Sequence, residues 1–249
     1  MKKIQITRNH DMWKKILAVM AMTCAVSVSA QEFSDAQRQE IGKVVSEYLD
    51  KHPEVVLEAI KKLEAREQDR HAELVRQYGA SYRDDAGTPN KGKAGPKHYI
   101  IDFYDYNCGY CKVMEPVLNE ALKDPSLGLK LVYVNLPVIS KTSAISATVA
   151  QAIYNTEKEK FFSFHDKLMR DEADPNSVDA LKELAKAEGI DWSKVETEMK
   201  SGRPQEKIRA DLAVSRKLQV TGTPYLIIDG QEYRGAVQSL SDLKSLLSR

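Results

Sequence analysis

The stretch Tyr99-Ile100-Ile101-Asp102-Phe103-Tyr104-Asp105-Tyr106-Asn107-Cys108-Gly109-Tyr110-Cys111 decides the fold. Its first six residues form a short run rich in β-branched and aromatic side chains, the pattern of a buried strand. Gly109 to Leu122 then reads as a helix, with Pro116 inside it and expected to bend it. Two thiols with two residues between them therefore lie at a strand–helix junction, a candidate redox-active disulfide.

Outward from this junction the rhythm continues as strand and helix. Leu129–Asn135 reads as a second strand, ended by Pro137. Residues 142–218 are almost entirely helical in pattern. Ala144–Asn155, Glu159–Arg170, Val178–Glu188 and Pro204–Leu218 are the clearest segments, and a shorter helix follows Trp192. Ser177 suits an N-cap and Gly189 a helix stop. Tyr225–Ile228 is a strand, Asp229-Gly230 a hairpin turn and Gln231–Arg234 its partner. Ser239 and Asp242 resemble a capping box for a last helix. A β-α-β unit and a β-β-α unit thus flank a helical block, so an α/β fold with a small covered sheet is expected.

The N-terminal part has another character. Lys14 and Lys15 precede the apolar run Ile16 to Val28, which ends in Val28-Ser29-Ala30. Residues 1–30 read as a secretory signal peptide cleaved after Ala30, with Met12 an alternative start to Met1. Residues 31–63 form two short amphipathic helical patterns broken at Asp50-Lys51-His52-Pro53. Their apolar faces comprise Ile41, Val44, Val45, Tyr48 and Leu49, then Val56, Ile60 and Leu63. Residues 64–96 read as a helical rod, polar from Glu64 to Glu73 with apolar character restored at Leu74, Val75 and Tyr78, and a linker rich in glycine and proline from Ala86 to Pro96. Two short apolar faces cannot make a core alone. They fold back on the main domain or pair with a second copy, and a homo-oligomer, dimer favoured, is expected.

Composition narrows the function. The 249-residue chain carries +1 formally, and loss of residues 1–30 leaves about −3. Nothing in that balance suggests nucleic acid or an anionic membrane as partner. Cys24 leaves with the signal, so the mature chain keeps only Cys108 and Cys111. A bridge across so short a loop removes little unfolded-state entropy, so chemistry explains the pair better than stability does. Structural zinc wants four ligands, and His52, His71, His98 and His165 show no His-x₃₋₅-His spacing. Lys112 after Cys111 excludes the haem-attachment pattern. No metal and no cofactor are expected, and His165 is expected to pack against the helical block.

The Cys-x-x-Cys pair at a strand–helix junction, the distant Thr223-Pro224 before a β-hairpin, and the helical stretch between them resemble the DsbA branch of the thioredoxin superfamily. The resemblance covers residues 97–249. The Gly109-Tyr110 dipeptide is similar instead to that of the DsbC disulfide isomerases. The segment Tyr48-Leu49-Asp50-Lys51-His52-Pro53-Glu54-Val55 resembles DsbA-like proteins with an added dimerisation region. The resemblance implies a thioredoxin-like fold, an inserted helical domain at about 142–218, and a cis peptide bond before Pro224. It also implies a buried acid, Asp102, behind the second sulfur.

The residues support the same chemistry. Cys108 would lie at a helix N-terminus, where unpaired N–H groups and the helix dipole favour a thiolate. It is expected to be the exposed nucleophile, with Cys111, one turn on, resolving the mixed disulfide. Gly109 would let the loop turn tightly and leave room for a substrate backbone, and Tyr110 would flank the sulfur. Asp102 on an apolar strand would have a raised pKa suited to proton exchange with Cys111, unless it points to solvent. Thr223 would offer backbone groups to an extended substrate. Tyr104, Tyr106 and Tyr110 would form an aromatic rim, although Tyr104 alternates with Phe103 and also fits the core.

These features predict an exported, periplasmic thiol–disulfide oxidoreductase that forms or isomerises disulfides in folding proteins. Its partners would be unfolded or misoxidised proteins and a membrane redox partner of the Dsb type. Oxidation alone is the nearest rival, and a chaperone-like surface with an incidental redox pair is the rival from another class.

Overall fold

The computed structural model describes residues 33–248. The expected signal peptide, its cleavage after Ala30, and Cys24 lie outside the described residues. The chain divides into two compact units, one ending at Ile60 and the other beginning at Lys61.

The first unit is helical. Ser34 caps α1 (Asp35–Lys51) in a reciprocal capping box, its hydroxyl accepting from the Gln37 N–H while the Gln37 side chain accepts from the Ser34 N–H. Two backbone donors at the helix start are satisfied in this way. His52 closes the helix by donating its N–H to the Tyr48 carbonyl, and α2 (Glu54–Asp84) begins just past Pro53. None of the α1 residues is buried within the chain.

In the second unit a five-stranded sheet forms the frame. Its strands are β1 (Asn90–Gly92), β2 (His98–Tyr104), β3 (Leu129–Asn135), β4 (Tyr225–Ile228) and β5 (Gln231–Arg234), in the order β1-β3-β2-β4-β5. β2 and β3 are parallel, and the other pairings are antiparallel. The parallel pair requires a crossover, supplied by α3 (Gly109–Lys123). Between β3 and β4 lies the helical insertion: α4 (Ser143–Thr156), α5 (Lys158–Met169), α6 (Val178–Ala187), α7 (Trp192–Lys200) and α8 (Arg203–Lys217). Asp229 and Gly230, both at positive φ, turn β4 into β5, and Ser239 caps α9 (Leu240–Leu247).

Strand alternation divides the core into two layers. Ile100 and Tyr104 of β2, with Leu131, Tyr133, Leu226 and Ile228, pack against α3, α9 and the insertion. Ile101 and Phe103, with Val132, Val134, Tyr225 and Ile227, face the other way and meet Val75 and Tyr82 of α2. Asp102 therefore shares its face of the sheet with the thiol helix.

One expectation about residues 64–96 is corrected here. As the return of apolar Leu74, Val75 and Tyr78 implies, Val75, Gly79 and Tyr82 are buried against the sheet. A Cβ on Gly79 would meet the Ile227 methyl at 3.0 Å, so a side chain there would have to displace its neighbours. The Gly/Pro-rich segment after it is not a free linker. Asn90–Gly92 pairs with β3, Thr88 is fully buried, and Gly92 at φ +110 passes the Leu129 carbonyl where a side chain would clash.

Candidate active site

Asp105, Tyr106 and Asn107 connect the end of β2 to the thiol helix. Asp105 is buried, and its carboxylate organises this turn. One oxygen accepts from the Asn107 N–H at 2.9 Å; the other accepts from the Val138 and Ile139 N–H groups, both at 2.9 Å. Its carbonyl accepts from the Cys108 N–H at 2.9 Å. Asn107 reaches across to the insertion, donating to Ser143 Oγ at 3.0 Å and accepting from Asn176 Nδ2 at 2.9 Å. The loop that carries Cys108 is thus tied to both the segment after β3 and the helical block.

Cys108 is the N-cap of α3, in extended conformation, and Cys111 lies in the first helical turn. Their environments move the two thiols in opposite directions. The pKa of Cys108 is pushed down to about 5, first by a hydrogen bond from Cys111, then by the Thr223 side chain and the backbone N–H groups of Cys111 and Tyr110. The Cys111 thiol is pushed up, first by its hydrogen bond to Cys108, then by burial and the Asp102 charge. Asp102 is 1% exposed, its pKa raised well above the carboxylate range by burial, then by Glu115 and Cys108. Neither of its oxygens has a hydrogen-bond partner among the described residues.

Across the site, the Thr223–Pro224 peptide bond is cis. The Cys108 thiol lies 3.3 Å from the Thr223 carbonyl, which accepts from it. The structure thus brings together Cys108, Cys111, Thr223 and Pro224, with Asp102 charge-coupled to both sulfurs from below.

Several expectations need correction. Cys108 is only 5% exposed, because the Thr223–Pro224 turn covers the sulfur. Gly109 has an ordinary helical φ, so no tight turn requires glycine there, although a Cβ would meet nothing within 4 Å and the space beside Cys108 is open. Of the three tyrosines expected at a rim, only Tyr110 is exposed; Tyr104 and Tyr106 are buried beneath the site. Those two begin a polar network that sequence reasoning missed. The Tyr104 hydroxyl donates to Tyr106 at 3.2 Å, and Tyr106 meets His165 Nδ1 at 2.9 Å. His165 Nε2 then faces Glu115, the residue one helical turn after Cys111, at 3.6 Å. The contact of His165 with the insertion was expected, whereas its polar partners arrive from elements far away in sequence. Asp105 was missed too, though an Asx residue two places before an N-terminal turn is a recognisable signal.

Fold and site together define a thiol–disulfide oxidoreductase on a thioredoxin-like sheet with a helical insertion. The thioredoxin family profile matches residues 84–249, and the chain belongs to that family, in its DsbA-like branch with an N-terminal extension. A second profile, the copper resistance protein ScsC N-terminal domain, matches residues 37–70. The probable disulfide bond formation protein D of Bacillus anthracis is 25% identical over 148 residues, spanning 56% of this chain and 68% of that protein. The thiol-disulfide exchange protein alpha-DsbA2 of Wolbachia pipientis superposes with a TM-score of 0.62 at 25% identity, covering 71% of this chain and 96% of that one. ScsC of Proteus mirabilis in a transitional conformation gives 0.61 at 24% identity, covering 87% and 95%, a likeness of fold.

Proposed function

We propose that the protein is exported to the periplasm, with residues 1–30 as its signal peptide, and there forms and reshuffles disulfides in folding proteins. The observation that carries this reading is the opposed pair of sulfurs, Cys108 pushed down to about 5 and Cys111 pushed up. In oxidation a substrate thiolate attacks Cys108 of the disulfide, and Cys111 leaves as a thiolate that takes the proton of the buried Asp102. A second substrate thiolate then attacks the substrate sulfur of the mixed disulfide. Cys108 departs as a stabilised thiolate, the substrate gains its disulfide and the enzyme holds both electrons. A membrane redox partner of the Dsb type would restore the oxidised form. In isomerisation the Cys108 thiolate opens a wrong disulfide and is expelled when the right pairing forms.

Residues around the sulfur support a polypeptide substrate. Tyr110 and Val113 flank the thiols on α3, and Val138 and Ile139 are held by Asp105. Val178 follows Asn176, the partner of Asn107. All five are exposed apolar side chains, and Thr223 offers its backbone beside Cys108. The exposed faces of α1 and of the start of α2 support association with a second copy, and two catalytic sites in one assembly would hold a misfolded chain while its bonds exchange.

The depressed Cys108 pKa also favours a second reading, oxidation alone, because a stabilised thiolate makes the disulfide a stronger oxidant. Refolding of scrambled RNase, run beside oxidation of reduced RNase, separates the two. Activity in the first assay supports isomerisation, activity only in the second leaves an oxidant, and activity in neither removes the proposal.

A further inference from the structure

The buried network under the thiol helix ends in a cluster that the exchange chemistry does not use. One donor atom each from Glu115, His165 and Asp166 lie within 4.8 Å of one another. Glu115 stands on α3, and the other two are neighbours on α5. Glu115 is 3% exposed and His165 0%, yet Glu115 Oε2 and His165 Nε2 have no hydrogen-bond partner among the described residues. These two atoms face each other at 3.6 Å. That is too long for a hydrogen bond. It is roughly the separation of two donors sharing one metal at ~2.1 Å from each.

The remaining atoms of these groups are already fixed. Glu115 Oε1 accepts from Asn119 Nδ2 at 2.9 Å and from the Tyr133 hydroxyl at 3.4 Å. Asn119 also donates to Asp166 Oδ1 at 3.3 Å, so one amide holds both carboxylates. His165 Nδ1 is engaged by Tyr106, and the imidazole is caged by Tyr104, Tyr133 and Phe161. A ligating histidine whose other nitrogen is hydrogen-bonded, beside carboxylates that are themselves held, is the usual outer shell of a metal site.

A cleft of about 380 Å³ beside the cluster is lined by Glu115, Asn119 and Asp166, with His165 behind it. Lys91, Lys112, Lys123 and Arg170 also line it. Lys112 pairs with Asp171 and Arg170 with Glu172, while Lys91 sits over the Phe162 ring. Two of the four cations therefore already have their own counter-charge, and a third is engaged by an aromatic face.

We propose that Glu115, His165 and Asp166 bind a divalent cation of the zinc type, which would clip the thiol helix to the insertion. One imidazole and two carboxylates suit a borderline divalent ion, with water from the cleft completing its coordination. This site is separate from the thiols, and the inference does not depend on oxidase or isomerase activity.

The test is zinc titration by calorimetry of the mature protein in its oxidised form, where the joined sulfurs cannot bind the ion. Cobalt(II) loading gives a second readout through its visible ligand-field bands. One zinc per chain is expected, with the bands and binding lost in Glu115→Gln and His165→Gln. The half-buried Asp166→Asn leaves the core intact and should weaken zinc by at least about tenfold; Asn119→Ala, losing an outer-shell partner, should cost about 10–100-fold. His71→Gln, at a histidine paired elsewhere with Glu232, should bind like the wild type. Absence of zinc binding in the wild type overturns the proposal, as does binding undiminished in Asp166→Asn and Asn119→Ala. If the two buried variants fail to fold, those last two decide the outcome.

Discussion

Residues 33–63 and residues 97–248 both leave large apolar side chains in the open, in different patterns. In the first stretch Phe33, Val44 and Leu63 are each about 60% exposed, and with Ile41, Val45, Val56 and Ile60 they recur at helical spacing. In the second stretch the exposed large apolar residues are Tyr110, Val113, Val138, Ile139 and Val178, which cluster by tether or sequence around Cys108. A periodic stripe can be covered permanently by another helix. A ring around a reactive sulfur must stay open, because its occupant leaves after each turnover. The contrast supports the proposal of assembly for one region and substrate contact for the other, and experiments can separate them.

The largest effect is expected from Cys108→Ala. It should abolish disulfide exchange while leaving the oligomeric state unchanged, as read by turnover with reduced RNase and by light scattering. A change in mass with this variant would merge the two regions that the comparison separates.

Asp102→Asn should slow turnover by about 10²-fold, the lower range for a lost proton-transfer group. It should also stabilise the fold at neutral pH. Burial raises the Asp102 pKa in the folded chain above its unfolded value, so its ionisation opposes folding as pH rises above the ordinary carboxylate pKa. Stopped-flow exchange and urea melts read the two effects, and unchanged kinetics would remove Asp102 from the proton path.

The paired substitution Ile41→Lys and Val45→Lys places two charges on one face of α1. It should give a monomer and reduce isomerisation by at least about tenfold, with oxidation of a small dithiol unaltered. Equal isomerase activity in monomer and assembly would confine the function of the extension to something other than holding substrate.

Much of this was legible before any coordinates. The thiol pair is a local pattern, carried by a few adjacent residues; the cis proline turn and the buried Asp102 were legible through the family resemblance that the pair supports. The insertion helices fell within a residue or so of their observed ends, and Ser177 marks the start of one of them. The misses involve contacts remote in sequence. Nothing near Glu115 announces His165, and nothing near Asp105 announces the N–H groups of Val138 and Ile139. The short strand Asn90–Gly92 was hidden because its pairing depends on β3, and its glycine and proline neighbours read as a linker. Cys108 was expected in the open because helix geometry alone does not show what Thr223 covers.

The next effect concerns the pH dependence of the reduced protein. Cys108 ionises near 5 when folded and near 8.5 when unfolded. Between those values the unfolded chain carries a proton that the folded one lacks, so stability of the reduced form rises with pH across that window. It is complete above the unfolded pKa and lost as pH falls through about 5. The oxidised form has no such group. Urea melts of the two forms should therefore diverge from pH 5 to pH 8, with the reduced form gaining. Parallel curves would mean that Cys108 is an ordinary thiol.

The smallest effect lies within α2 itself, where both kinds of apolar surface occur on one helix. Tyr82 is buried and donates to Asp211 at 2.9 Å, tying the helix to α8, whereas Leu63 is 59% exposed. Tyr82→Phe keeps the ring against Phe103 but removes a donor from a buried carboxylate that retains Lys207. Losing one such bond costs about 1 kcal/mol, or ~2–4 °C in a domain of this size. Leu63→Ala removes more apolar surface, yet should leave the melting of the dilute monomer within about 0.5 kcal/mol because that surface is already in water. In the assembled protein the order should reverse if Leu63 contributes to the interface. Calorimetry of both variants at low and high concentration would then show whether exposure on this helix is a property of the chain or only of the isolated copy.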